Sequence, residues 1–215
     1  MDAGYESGRA AVTHRRAARA LAMVCAIIAP TLVCLAACER TERSNEPPIQ
    51  ELSKVPEFAL TDRDQRPFGT KQLAGKPYVA TFMFTRCPSV CPRVTARMKQ
   101  VDDAAKAHGL DLQMVSISVD PEHDDPAALQ AYAEEHGATA PNWHFLTGEH
   151  QHIAQTAEQG FKIGVSGKPA PDKPHLGITH GSHLVLVNPR GYIVGYFPSS
   201  ADESVRDVVE TAQRL

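Results

Sequence analysis

The sequence predicts an α/β domain: a central mixed sheet flanked by helices, with a β-hairpin at its N-terminal end. Three observations predict it. Two uninterrupted apolar runs, YVATFMF at residues 78–84 and LQMVSISV at residues 112–119, have the character of strands buried on both faces. Stretches with helical spacing follow each run, the arrangement that joins parallel neighbours. The chain then closes with two strand-like segments and a helix, which adds antiparallel pairing to the parallel pair.

Taken in order, residues 58–61 and the region around Phe68 form a short hairpin across Asp62-Arg63-Asp64. Tyr78 to Phe84 is the first buried strand. From Pro88 to His108 the apolar residues Val94, Met98, Val101 and Ala105 recur at helical spacing. Leu112 to Val119 is the second buried strand. Pro126 to His136 is a helix that opens on proline, which suits the first turn. Trp143 to Leu146 is a short strand, His150 to Gln159 a helix, and Phe161 to Val165 a further extended piece. Residues 166–177 are a Pro/Gly-rich loop. His183 to Val187 and Tyr192 to Phe197 make a hairpin over Asn188-Pro189-Arg190-Gly191. Asp202 to Leu215 is the closing helix, with Asp202 near its cap.

The first 37 residues stand apart from this domain. Arg9, Arg15, Arg16 and Arg19 precede an uncharged stretch from Ala20 to Cys38 that ends Leu35-Ala36-Ala37-Cys38. A basic start, an apolar core and small residues before a cysteine resemble the signal and lipobox of bacterial lipoproteins. The resemblance implies cleavage before Cys38 and lipidation of its sulfur. An uncleaved transmembrane helix is the alternative, since 19 uncharged residues nearly span a bilayer. Both readings put the body of the protein outside the cytoplasm, in a bacterial cell envelope and facing the periplasm. Residues 38–54 then form a lipid-anchored linker, with Pro47 and Pro48 and almost no apolar periodicity, and residues 55–215 form one domain.

Charge excludes one class of partner. The whole chain carries a net charge of −3, and without residues 1–37 the balance is 18 basic to 23 acidic residues. A nucleic-acid backbone needs a basic footprint that is missing here.

Of the five cysteines only Cys87 and Cys91 fall in the domain. In an oxidising compartment such a pair is a disulfide or a metal site. The two lie four residues apart where the first buried strand gives way to a helix, in Phe84-Thr85-Arg86-Cys87-Pro88-Ser89-Val90-Cys91-Pro92. Four residues apart on a helix means one face. Unpaired N–H groups at a helix start lower a thiol's pKa, and two thiolates suit soft copper(I). A purely structural disulfide would close too short a loop to stabilise much.

FTRCPSVCP, followed by SISVDPEHDDP, WHFLTG and ITHGSHLVLVNPRGYIVGYF, resembles the Sco/SenC family over roughly Val55 to Phe197. The resemblance implies a thioredoxin-like fold and a copper protein of cytochrome c oxidase assembly. Copper would be held by Cys87, Cys91 and His180, and the partner would be the copper-bearing oxidase subunit or another cuproprotein. It also implies that Cys87 and Cys91 can form a redox disulfide. His180 precedes the strand that starts at His183, and a nitrogen donor there completes a copper site. His183 is the competing candidate. Asp120 ends the second buried strand, at the edge where ligands collect in α/β folds. It is expected beside the metal without binding it, or else as a turn or cap residue before the helix at Pro126. The remaining histidines are expected to be solvated, as His144, or carry no signal of a partner, as His123.

A thiol–disulfide oxidoreductase that reduces client cysteines is the alternative function. Thioredoxin-like reductases space their cysteines one residue closer and carry a cis-proline where Thr179-His180-Gly181-Ser182 stands here. A peroxiredoxin-type peroxidase ranks last, because Phe84 occupies the position three residues before Cys87 where that family places threonine.

Overall fold

The computed structural model describes residues 46–166 and 179–215. The leader, Cys38 and most of the loop expected at 166–177 lie outside the described residues.

The two apolar runs become neighbouring parallel strands, β4 (Tyr78–Met83) and β5 (Gln113–Ser118), in register from Tyr78↔Gln113 to Met83↔Ser118. Every residue of both is buried, so both faces of the sheet centre are covered, as continuous hydrophobic strands require. They sit inside an eight-stranded mixed sheet. Its edge strands are β1 (Ser53–Lys54) and β3 (Pro67–Gly69), the latter forming a hairpin with β2 (Ala59–Asp62). A four-residue helix α1 (Thr70–Leu73) leads into β4, and α2 (Val90–Ala107) connects β4 to β5. After β5 come α3 (Pro126–Glu135), β6 (Trp143–Thr147) parallel to β5, and α4 (His150–Gln155). The short strands β7 (Val165–Ser166) and β8 (Thr179–His180) follow, then β9 (His183–Val187), β10 (Tyr192–Pro198) and α5 (Ser204–Gln213). The strand order is β1-β10-β9-β4-β5-β6-β2-β3, with β9 antiparallel to β4. This is the expected mixed sheet, including the N-terminal hairpin.

The helices bury the residues their spacing selects. In α2 these include Val94, Met98, Val101 and Ala105, and α2 packs against α5. Helix α3 packs on β6; its N-cap is Asp125, which accepts the Ala128 N–H at 2.8 Å, with Pro126 in the first turn. Phe161 fills the core between Phe58, Tyr78 and Phe82, at ring-centroid distances of 6.0, 6.4 and 5.5 Å. The β9–β10 turn is set by Asn188, whose side-chain oxygen accepts the N–H groups of Arg190 and Tyr192, and by Gly191 at φ 82°.

Several elements differ from expectation. The folded part takes in the end of the expected linker: Glu51 pairs with Arg190 at 2.7 Å and β1 pairs with β10. Residues 161–165 do not form one strand, because Lys162 turns the chain with φ 57° and only Val165–Ser166 pairs onward. Helix α4 ends at Gln155 and passes into a π-turn, Thr156–Gly160. Asp202 does not cap α5. Glu203 precedes that helix, and Asp202 is 3.0 Å from Arg97 on α2. No helix among the described residues is long and apolar enough to cross a membrane.

Candidate metal and thiol site

The site lies at the C-terminal ends of β4 and β5, the edge where α/β sheets gather ligands. The parallel ladder runs one residue past the strands, with Val119 N–H donating to the Met83 carbonyl at 2.9 Å. Beyond it two loops face each other. One, residues 84–89, carries Cys87; the other, residues 119–125, carries Asp120 and Asp124.

The cysteines come together, but not as two residues of one helix. Helix α2 begins at Val90, so Cys91 is helical while Cys87 and Pro88 lie before it. Proline disfavours the α conformation of the residue in front of it, which keeps Cys87 out of the helix. The chain still turns so that Cys87 Sγ faces the start of α2, where it accepts the Cys91 N–H at 3.5 Å. The helix-start effect therefore acts from outside the helix. Burial pushes the Cys87 thiol up, but the N–H groups of Cys91, Ser89 and Val90 and the Cys91 thiol together outweigh it, and the pKa falls below the ordinary thiol value. Cys91 is the opposite case. It is fully buried, and desolvation raises its pKa well above the ordinary value, helped by the neighbouring Cys87 sulfur. No disulfide joins Cys87 and Cys91, and of the two Cys87 alone retains some exposure, 9% against 0%.

Asp120 sits next to this loop, and the cap role falls to Asp125. Arg86, one residue before Cys87, donates to Asp120 Oδ2 at 2.7 Å. His123 joins them, its Nδ1 lying 2.8 Å from the Arg86 guanidinium and 3.0 Å from Asp120 Oδ1. Unprotonated, that nitrogen accepts from Arg86; protonated, it donates to Asp120. His144 too has partners, a 2.8 Å contact with Asp62 and a stacked contact with Phe68. The expectation of histidines solvated or without a partner fails for both.

Asp124 is the residue that sequence reasoning missed. It is fully buried and accepts three hydrogen bonds: Thr85 O–H at 2.5 Å, Thr85 N–H at 3.0 Å and Ser118 O–H at 2.5 Å. Burial raises its pKa against the effect of those donors. The available signal was the four-residue spacing from Asp120. It was hidden in a run of acids whose other members, Glu122 and Asp125, face solvent.

His180 ends the two-residue strand β8, opposite Val165 of β7, in a pair of strands separate from the main sheet. Its backbone is described and its side chain is not. Two residues on, Ser182 is tied to the sheet end through the Ser199 N–H, which donates to its carbonyl at 3.0 Å. His183 starts β9, with its ring edge-on to Tyr196 at 6.5 Å. Among the described residues no three His, Cys, Asp or Glu side chains are grouped for a metal ion. The donors described at the site are the two sulfurs, a set suited to a soft monovalent ion and incomplete for a harder one.

The SCO1/SenC family model matches residues 46–214. The chain belongs to the SCO1/SenC family. A SCO1/SenC family lipoprotein from Bacillus anthracis (strain Ames) is 32% identical and superimposes with a TM-score of 0.72, covering 79% of this chain and 99% of its own. BsSco, a member of the Sco family of cytochrome c oxidase assembly proteins in which a disulfide switch is identified, is 27% identical with a TM-score of 0.69 (78% and 97% covered). Copper-bound yeast Sco1 is 27% identical with a TM-score of 0.64 (75% and 90% covered). The fold is accordingly the thioredoxin-like one of these Sco structures.

Proposed function

We propose that this SCO1/SenC protein is a copper metallochaperone that binds copper through Cys87, Cys91 and His180 and passes it to the copper-bearing subunit of cytochrome c oxidase or another cuproprotein. The observation that carries the reading is the dithiol itself. One sulfur is biased toward thiolate by three backbone N–H groups and the Cys91 thiol, the second stands at the first turn of the adjoining helix, and soft sulfur pairs select copper(I). Copper-bound yeast Sco1 supports the choice of metal. His180, on β8, would supply the nitrogen that copper(II) favours. Asp120, through Arg86, would steady the loop beside the metal without entering its coordination. The domain would hang from a lipid on Cys38, close to a membrane-embedded client, as the lipoprotein relative suggests.

The inequality of the thiols supports a second reading, a thiol–disulfide reductase. In that chemistry the Cys87 thiolate attacks a client disulfide and releases one client thiolate. Cys91 then gives up its proton and attacks Cys87 Sγ, the second client thiol leaves, and the two electrons are restored by a dithiol donor. The disulfide switch of BsSco accords with this reading.

Copper(I) titration of the reduced protein separates the two when run beside an insulin disulfide-reduction assay. The chaperone reading expects one copper per chain, lost when Cys87 and Cys91 are both replaced by serine, and negligible reductase turnover. Undiminished copper binding in the double variant would overturn it. For the anchor, mass spectrometry should find an acylated Cys38 at the mature N-terminus. An intact leader with unmodified Cys38 would favour a transmembrane anchor instead.

A further inference from the structure

Asp120 and Asp124 are held on one helical turn. The Asp120 carbonyl accepts the N–H groups of His123 and Asp124 at 3.0 and 2.9 Å. Their side chains, four residues apart, therefore point the same way, toward the loop that carries Cys87. They hold consecutive residues of that loop: Asp124 takes both polar groups of Thr85, and Asp120 takes the guanidinium of Arg86. The two grips differ in kind. Arg86 is a long, partly exposed side chain, so Asp120 holds the loop only through the end of a long stem. Thr85 is gripped at its own N–H, two residues before Cys87, and Asp124 is anchored from below by Ser118 at the end of β5. Next to this point the Cys87 N–H donates to the Phe84 carbonyl at 3.3 Å, closing the turn that aims Sγ at the start of α2.

We propose that Asp124 is the positioning residue of the dithiol: by hydrogen-bonding Thr85 to the end of β5 it fixes the turn that keeps Cys87 Sγ on the N–H groups of α2. The proposal deepens the reading of Cys87 and Cys91 as the working thiols and rests on it. The carboxylate's three hydrogen bonds go to the loop and to the strand end beneath it, so the link they make to Cys87 runs through backbone geometry.

An amide in place of the carboxylate separates geometry from charge. Asparagine can place its oxygen where Oδ2 lies and accept from Thr85 N–H and Ser118 O–H. Its NH2 then takes the Oδ1 position and donates to Thr85 Oγ1. Alanine removes all three bonds.

The test is the rate of Cys87 alkylation by iodoacetamide in reduced, metal-free protein near neutral pH, a readout independent of copper. Asp124→Ala should slow it by about tenfold, because the turn no longer holds Cys87 Sγ against the Cys91 N–H, and Asp124→Asn should restore it to within about twofold of wild type. Thr85→Val, which removes the hydroxyl bond and keeps the N–H bond, should fall between them and serves if Asp124→Ala does not fold. Faster alkylation in both Asp124 variants would mean that the carboxylate acts as a charge that disfavours thiolate, and would overturn the positioning role. So would rates unchanged in Asp124→Ala and Thr85→Val alike. If the expected pattern appears in a protein that takes up no copper, the chaperone reading fails while the positioning role stands.

Discussion

The two halves of the proposed copper site are built to different standards. The cysteine half rises from the two most deeply buried strands of the sheet. Its loop is tied by two aspartates at Thr85 and Arg86 and ends on an 18-residue helix. The histidine half rests on β7 and β8, two residues each, joined as Val165↔His180 and Ser166↔Thr179 and separate from the eight-stranded sheet. Two-residue ribbons contribute little stability of their own, whereas a loop held by buried charged hydrogen bonds opens only at considerable cost. In the proposed ligand set the sulfurs would be preorganised donors, and the nitrogen would be a donor that can join or leave with little disturbance to the fold. A carrier that must release its metal gains from that division: the firm half captures, and the loosely attached half discriminates between oxidation states.

The comparison breaks first at the sulfurs. Replacing Cys87 and Cys91 together with serine should reduce copper(I) bound at micromolar concentration from one per chain to none, read by metal analysis after desalting. The fold should survive, because each change swaps sulfur for oxygen without altering shape. The next effect is kinetic. Below the ordinary thiol pKa, Cys87 should already be alkylated at a measurable rate while Cys91 stays protected. A lowered pKa means the thiolate population of Cys87 rises at lower pH than in an unfolded thiol, and the raised pKa of Cys91 moves its own rise in the other direction. Peptide mapping of the alkylated protein across pH checks the order, and Cys91 reacting first would reverse the assignment. Asp120→Asn, which weakens the grip on Arg86, should lower copper(II) affinity by about tenfold, the low end for groups that support metal ligands, with copper(I) affinity little changed. His183→Ala should be the smallest, leaving both affinities within about twofold, because its ring packs edge-on to Tyr196.

The same division explains what could be read in the sequence. The cysteine half was legible where chemistry is local. The continuous apolar runs located β4 and β5, and the Cys-Pro-x-x-Cys-Pro spacing put the thiols at the strand-to-helix junction. What escaped was set by contacts between distant segments. Helix α2 starts at Val90 and Pro88 keeps Cys87 out of it, so the shared-face argument gave the right neighbours through the wrong geometry. Asp124 looks like the solvated acids beside it, and its burial depends on Ser118 and Thr85, which only the paired strands bring to it. The partners of His144 and Asp202 lie 82 and 105 residues away in the chain, Asp62 and Arg97, beyond the reach of any periodicity. On the other half, the hairpin β9–β10 followed from its apolar segments and its Asn-Pro-Arg-Gly turn. The β7–β8 pair did not, because two-residue strands carry no pattern.

The central claim, one site of a firm sulfur half and a separable nitrogen half, is tested most directly by measuring copper(I) and copper(II) affinities side by side in His180→Ala. The account predicts a copper(I) loss of no more than about tenfold and a copper(II) loss of about a hundredfold or more, with the thiolate-to-copper(II) charge-transfer band shifted or absent. Equal losses for the two ions would contradict it, as would wild-type copper(II) spectra in His180→Ala together with their loss in His183→Ala.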